Sequence, residues 1–190
     1  HGDPARGLQL VAVTGTNGKT TTVGMLRHLL DVADGAERAR AASIGTLGLL
    51  VGSAGEPLPG GGGLTTPGPV ELQRLLRALV DAGVRRVAIE TSSHALDQMR
   101  VEGLEFAAAV FTNLTRDHLD YHGTMEAYFW AKALLVGFLG RAGVAVSNAD
   151  EPAWRELPEA PRTLRFGVTA TDAEVRAEDV VFHPRGSRWT

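Results

Sequence analysis

At 190 residues, 44% hydrophobic and 22% charged, the chain has the makeup of one globular domain with a sizeable core, which excludes a disordered tail. Its net charge of -3 leaves no basic excess for nucleic acid or a membrane surface, so neither is expected as a partner. It has no cysteine, no apolar run long enough to span a bilayer and no basic-then-apolar leader, which points to a reducing, cytoplasmic setting.

The opening enters a strand almost at once and "PRGSRWT" closes without a stop signal, so the chain reads as a piece of a longer protein. "LQLVAVT" (8–14) has the character of a buried strand, followed by a helix over "TTTVGMLRHLLDVA" with Val23, Leu26, Leu29 and Leu30 at helical spacing. "AASIGT" (41–46) is a second short strand, and the Gly/Pro-rich stretch 47–63 is expected to be a hairpin or loop. A helix follows over "PGPVELQRLLRALVDAG", with proline in its first turn and Thr65 or Thr66 as its cap. "VRRVAIE" (84–90), "FAAAVFTN" (106–113) and "GVAVSNAD" (143–150) are three more strands, with one long helix, "TMEAYFWAKALLVGFL", between the last two. From Thr163 onward the chain reads as edge or antiparallel strands.

Strands alternating with helices predict an α/β fold: a mostly parallel sheet flanked by helices, with antiparallel edge strands near the C-terminus. Ligands of such sheets bind outside the carboxyl ends of the strands. That rim would hold Gly15 to Thr21, Glu90, Asn113 to His118, Asn148 and Asp150.

"VTGTNGKTTT" (13–22) lacks the first glycine of a strict phosphate-binding loop, since Val13 stands in its place. Gly15 and Gly18 still allow successive N–H groups to converge on a phosphate at a helix N-terminus, with Lys19 on the terminal phosphates and the Thr20 hydroxyl on magnesium. The plain alternative is a glycine turn with a surface lysine.

Of 19 basic residues, 17 are arginine; the two lysines are Lys19 and Lys132. In so arginine-biased a chain, lysine persists where arginine will not serve. Lys132 has no carboxylate at 128 or 136 to pair with. Lysine, unlike arginine, can lose its proton and react with CO2, giving a carbamate able to bind magnesium. Otherwise it is a snorkelling surface lysine. Glu90, closing its strand, is either a magnesium ligand or a surface or capping glutamate. His118, within "RDHLDYH", is a metal ligand beside magnesium carboxylates or part of a capping loop, and the spacing fits no zinc set. His94 and Arg100 either contact an anionic substrate or line the core, and His28 and His183 are assigned to surface or packing. Trp130 and Trp154 are read as core or cover.

"VTGTNGKTTT", "TTPG", "ETSSHALDQMRV", "FTNLTRDHLDYHGTMEAYFWAKALL" and "SNAD" together resemble the central ATP-binding domain of the Mur ligases, in order from about Leu8 to Asp150. The likeness is strongest to the members that add the third residue of the peptidoglycan peptide. The family's loop is itself G-x-x-G-K-T-T, so Val13 is no defect. The resemblance implies a P-loop NTPase-like domain of an ATP-dependent ligase in which ATP phosphorylates the D-glutamyl carboxyl of UDP-MurNAc-L-Ala-D-Glu. An incoming amino acid then attacks the acyl phosphate. By position, Gly15, Thr16, Asn17, Gly18, Lys19, Thr20 and Thr21 would hold the ATP phosphates, and Asn148 would lie near the adenine. Thr20 and Glu90 would bind the first magnesium, and His118 with carbamylated Lys132 the second. Lys19, His118 and Lys132 are the implied catalytic residues. Thr65, Thr66, Ser92, Gln98 and Arg100 would contact the muramoyl-peptide nucleotide.

Leu64 stands where some members carry a polar residue. The resemblance also implies that residues 1–190 are a single truncated central domain of a monomeric enzyme. The N-terminal UDP-binding and C-terminal amino-acid-binding domains have no counterpart, so the piece alone is not expected to catalyse. The rival readings are a folylpolyglutamate or cyanophycin synthetase type of ligase, against which "TTPG" and the 117–132 segment speak, and a non-catalytic nucleotide-binding paralogue, against which both lysines speak. The identity of the third amino acid is not readable.

Overall fold

A computed structural model describes residues 2–33, 40–184 and 186–190. Its frame is a nine-stranded sheet in the order β4-β3-β2-β5-β1-β6-β7-β8-β9. The strands are β1 (Gln9–Thr14), β2 (Arg40–Gly45), β3 (Gly48–Val51), β4 (Glu56–Leu58), β5 (Val84–Glu90), β6 (Phe106–Phe111), β7 (Leu139–Asn148), β8 (Arg162–Gly167) and β9 (Val175–Arg176). From β2 to β9 across the sheet every pairing is parallel, and only the β2–β3 and β3–β4 pairings are antiparallel. The helices are α1 (Lys19–Val32), α2 (Pro69–Asp81), α3 (Ser93–Asp97), α4 (Leu119–His122) and α5 (Met125–Ala133).

The alternation of side chains along β1 divides the interior. Leu10 and Ala12 join the main core with Leu72, Leu75, Leu76 and Leu79 of α2, while Val13 faces α1 with Ala88 and Val23. Strands covered on both faces read as continuous apolar runs, which is why 8–14 and 84–90 are so legible. Helix α2 starts with Pro69 at its first turn, where a missing N–H costs nothing.

Several local expectations are corrected. The cap of α2 is Gly68, with no side-chain cap bond, so neither Thr65 nor Thr66 serves there. The long helix after Thr124 stops at Ala133 and tightens into a 3-10 turn, Leu134–Phe138, which puts Leu135 and Val136 into the core. Strand β7 begins at Leu139, pairing with Phe106 across a register shift, rather than at 143. On α1 the buried positions are Val23 and Arg27, and Leu29 faces solvent. The stretch 47–63 takes the hairpin form of its two expected alternatives, β3 pairing antiparallel with β4, with Leu49 and Val51 burying their side chains and Gly48, Gly52 and Gly55 at positive φ in the turns. Near the C-terminus the expected strands are present: β8 and β9 form the parallel edge of the sheet, and the antiparallel pair is the separate hairpin β10 (Val181–His183) and β11 (Gly186–Arg188). Trp154 is buried against Phe111 and Phe129, whereas Trp130 is half exposed.

Strand β1 leads through α1 to one side of the sheet, and β5 crosses over β1 to β6 on the other. The carboxyl ends of β1, β5 and β6 therefore flank the point where a crevice is expected.

Candidate functional site

The β1–α1 loop is pinned to the end of β6. Thr16 N–H donates to the Asn113 carbonyl at 2.8 Å, Asn17 N–H to Asn113 Oδ1 at 2.9 Å, and the Thr112 hydroxyl to the Asn17 carbonyl at 2.7 Å. Gly15, at φ 140°, lies so close to β6 that a Cβ would overlap the Thr112 hydroxyl. Gly18, at φ 85°, precedes α1 without any side-chain cap. The first turn of α1 is thus left with its amide donors and the positive end of its dipole at the rim.

Both lysines of the chain arrive at the same atom. Lys19 Nζ donates to the carbonyls of Gly15 and Thr16, each at 2.8 Å, and Lys132 Nζ donates to Gly15 at 3.0 Å. Bonds of that length to one oxygen hold the two lysine nitrogens close together, with no carboxylate bonded to either among the described residues. Lys132 is 1% exposed, and its nitrogen sits 4.4 Å above the centre of the Tyr128 ring. Burial, reinforced by the charge of Lys19, pushes its pKa down to about 7. Burial lowers Lys19 as well, against the pull of Glu90 and Asp117. Lys132 is therefore no snorkelling surface lysine.

Glu90, at the end of β5, is 1% exposed. Its Oε2 accepts from the hydroxyls of Thr20 at 3.0 Å and Thr46 at 3.2 Å, and its Oε1 from Thr46 N–H at 2.9 Å. Room for the carboxylate comes from Gly45, where a Cβ would stand 2.6 Å from Glu90 Cδ. The carbonyl of Glu90 accepts from the buried Thr66 hydroxyl at 2.8 Å. Thr66 also accepts from Ser92 N–H at 3.1 Å, and Ser92 caps α3 through Ala95 N–H. Thr65 Oγ1 lies 3.3 Å from the Thr46 hydroxyl, within hydrogen-bond reach. Arg100 donates to the Thr66 carbonyl at 3.0 Å and to Gln98 Oε1 at 2.6 and 3.1 Å. The five residues of the expected acceptor site thus form one connected strip beside Glu90.

His118 stands just before α4 at φ 52°, half exposed, with Nε2 3.4 Å from Asp117. Its ring lies edge-on to His94, centroids 4.8 Å apart, and His94 is held below its ordinary pKa by burial and by His118. Among the described residues no three His, Cys, Asp or Glu side chains are grouped to hold a metal ion. Glu90 and His118 therefore make no protein-only cage. The paired oxygens of Thr20 and Glu90 do fit magnesium, which prefers hard oxygen donors and is usually bound through one or two carboxylates plus substrate phosphates and water. At the outer rim, Asn148 Oδ1 accepts from Asp150 N–H at 3.0 Å, and Thr21 is exposed on α1. His28 and His183 are exposed, as expected.

Three participants escaped the sequence reading. Thr46, which supplies two of the three donors to the Glu90 carboxylate, ends the strand segment 41–46 and was open to the same strand-end logic as Glu90. Tyr128 lies one helical turn before Lys132 and bonds the Thr16 hydroxyl at 3.2 Å, so a search at i-4 for an aromatic as well as a carboxylate would have found it. Tyr121, joining Gln98 to Asp97, had no such signal.

A family model described as the Mur ligase middle domain matches residues 13–190. The chain belongs to the Mur ligase family. It is 44% identical over 195 residues to the UDP-N-acetylmuramoyl-L-alanyl-D-glutamate-2,6-diaminopimelate ligase of Geobacter sulfurreducens, covering 98% of this chain and 36% of the relative. It is 41% identical over 195 residues to the ligase of the same name from Geobacillus thermodenitrificans, covering 98% of this chain and 38% of that one. A solved structure of such a ligase aligns with TM-score 0.75 at 34% identity, over 96% of this chain and 36% of its own. The Mycobacterium tuberculosis folylpolyglutamate synthase complexed with ADP and AMPPCP aligns with TM-score 0.69 at 18% identity, over 99% and 48%, a likeness of fold alone. This Mur ligase chain thus spans little more than a third of the length of the curated relatives it matches.

Proposed function

We propose that residues 1–190 are the ATP-binding central domain of a three-domain amide ligase that joins 2,6-diaminopimelate to UDP-MurNAc-L-Ala-D-Glu. The observation that carries this reading is the meeting of Lys19 and Lys132 on the Gly15 carbonyl, beside the Thr20–Glu90 pair at the end of β1 and β5. The amine is proposed from the relatives, 41% to 47% identical, whose names specify diaminopimelate.

On this reading Gly15, Thr16, Asn17, Gly18 and Thr21 surround the ATP phosphates, and Asn148 lies by the adenine. Lys19, now bonded only to loop carbonyls, turns to the terminal phosphate, where a compact positive charge stabilises the charge that builds up on transfer. Thr20, Glu90, His118 and Lys132, as its carbamate, would hold two magnesium ions, which would supply positive charge to neutralise the phosphates during transfer. A pKa of about 7 keeps much of Lys132 as the neutral amine that reacts with CO2 at physiological pH. Thr65, Thr66, Ser92, Gln98 and Arg100 orient the muramoyl peptide so that its D-glutamyl carboxylate attacks the terminal phosphorus and ADP leaves. The amine then attacks the acyl carbon and phosphate leaves. We propose a monomer, as the family resemblance implies, and the supply of ATP suits a cytoplasmic location.

The test is phosphate release from ATP by the full-length protein with UDP-MurNAc-L-Ala-D-Glu present and meso-diaminopimelate or L-lysine added in parallel. Release that requires the acceptor and diaminopimelate, with the tripeptide product found by mass spectrometry, is the expected result. Release indifferent to the acceptor would overturn the reading.

A further inference from the structure

Among the described residues only three that are not glycine adopt positive φ: Met99 at 54°, His118 at 52° and Asp179 at 51°. Such angles are uncommon for side-chain-bearing residues and persist where the surroundings impose them. Two of the three belong to the candidate site, Met99 between Gln98 and Arg100, and His118 ahead of α4. Tyr121 of α4 ties these two turns together. Its hydroxyl donates to Asp97 Oδ2 at 2.6 Å and accepts from Gln98 Nε2 at 3.1 Å. Its ring packs at a tilt against His94, centroids 4.2 Å apart, and meets His122 at 4.8 Å. His122 in turn bonds the Ser93 hydroxyl at 3.0 Å.

We infer that Tyr121 is a positioning residue of this site: its hydroxyl, oriented by Asp97, fixes Gln98 and through it Arg100, and so joins the acceptor strip to the turn bearing His118. The assignment of that strip to the acceptor rests on the proposed function. Tyr121 is 43% exposed, so core filling does not account for it, yet its hydroxyl is engaged both as donor and as acceptor. Gln98 presents its amide nitrogen to Tyr121, which leaves its oxygen to accept two bonds from the Arg100 guanidinium. Arg100 then reaches the Thr66 carbonyl, and the Thr66 hydroxyl reaches the Glu90 carbonyl. A hydrogen-bonded path thus runs from an exposed tyrosine to the backbone of Glu90. Without the tyrosine hydroxyl, Gln98 loses an acceptor for its amide and its orientation is no longer fixed.

The experiment uses the full-length protein with Tyr121→Phe, which keeps the ring on His94 and removes only the hydroxyl. In the absence of substrate, hydrogen exchange over residues 96–102 should quicken about fivefold, the loss expected for one hydrogen bond, while residues 13–22 exchange as in the wild type. In turnover, the KM for the acceptor nucleotide should rise about fivefold with the KM for ATP unchanged. Asp97→Asn, which retains an oxygen acceptor, should behave as the wild type, and Asp97→Ala as Tyr121→Phe. Unchanged exchange over 96–102, or a KM for ATP that rises together with that for the acceptor, would overturn the inference. A wild-type protein that does not turn over the acceptor would defeat the functional reading alone, because the exchange comparison still decides whether Tyr121 holds Gln98.

Discussion

Two carboxylates stand at strand ends on the same rim, and their surroundings are opposite. Asp150, just past β7, accepts the N–H groups of Val168, Thr169 and Ala170 at 2.6 to 3.0 Å and the Thr169 hydroxyl at 2.6 Å. Those bonds, the Thr169 hydroxyl foremost, hold its pKa down at about 2. Glu90, at the end of β5, is far more buried but relies on two hydroxyls and one backbone N–H. Three of the four bonds to Asp150 come from backbone amides, which can only donate, and the fourth comes from the Thr169 hydroxyl of the same loop, so Asp150 is committed to folding the loop after β8. A hydroxyl can turn its proton away and offer a lone pair to a cation, so Glu90 and Thr20 can exchange their mutual bond for shared ligation. The share of hydroxyls among the donors, two of three at Glu90 against one of four at Asp150, more than burial, separates the rim proposed to bind magnesium from the structural one.

The largest effect expected from this contrast lies with Lys132, the other buried group of the inner rim. Lys132→Ala in the full-length protein should abolish turnover, by about a thousandfold or more in kcat, with partial recovery from added short carboxylic acids. Lys132→Arg should fail equally, and normal turnover in the arginine variant would remove the carbamate. Next comes Gly45→Ala, a methyl group that touches no ligand but occupies the space of the Glu90 carboxylate. Displacing that carboxylate should lower kcat/KM about a hundredfold with the circular dichroism spectrum unchanged; wild-type kinetics would show that Glu90 is not held where it acts. Thr46→Val removes one hydroxyl while its N–H remains, and a loss of about tenfold or less in kcat/KM is expected from steady-state kinetics.

Asp150→Asn should act in the opposite sense, on stability and hardly on turnover. Because its folded pKa lies below the ordinary 3.8, the charged form contributes stability above that value, and the contribution is lost as pH falls toward 2. The difference in unfolding free energy between wild type and variant should therefore be constant above about pH 5 and vanish near pH 2. A difference that persists in acid would mean that the carboxylate charge is not what the loop needs.

Much of the inner rim was legible in the sequence because it depends on local pattern. An apolar run, two glycines at fixed spacing, a lysine and an amphipathic helix specify the loop, and Glu90 closes a run of buried β residues. Lys132 was found by arithmetic, as one of two lysines among 19 basic residues. Contacts between distant segments were less legible. Thr66 looked like a helix cap from its neighbours, yet its hydroxyl bonds Glu90 across 24 positions. The glycines that make the turns of β3 and β4 left hairpin and loop as equal readings of 47–63, and the early end of α5 accompanies the burial of Leu135 and Val136. Nothing local to Tyr121 announces that it reaches Asp97 and Gln98.

The most direct test of the contrast between the two carboxylates is calorimetric binding of ATP to the full-length protein with and without magnesium, for wild type, Glu90→Gln and Asp150→Asn. The account predicts that Glu90→Gln weakens the magnesium-dependent part of binding at least about tenfold while Asp150→Asn matches the wild type. Equal binding by Glu90→Gln and the wild type, or a loss confined to Asp150→Asn, would contradict it.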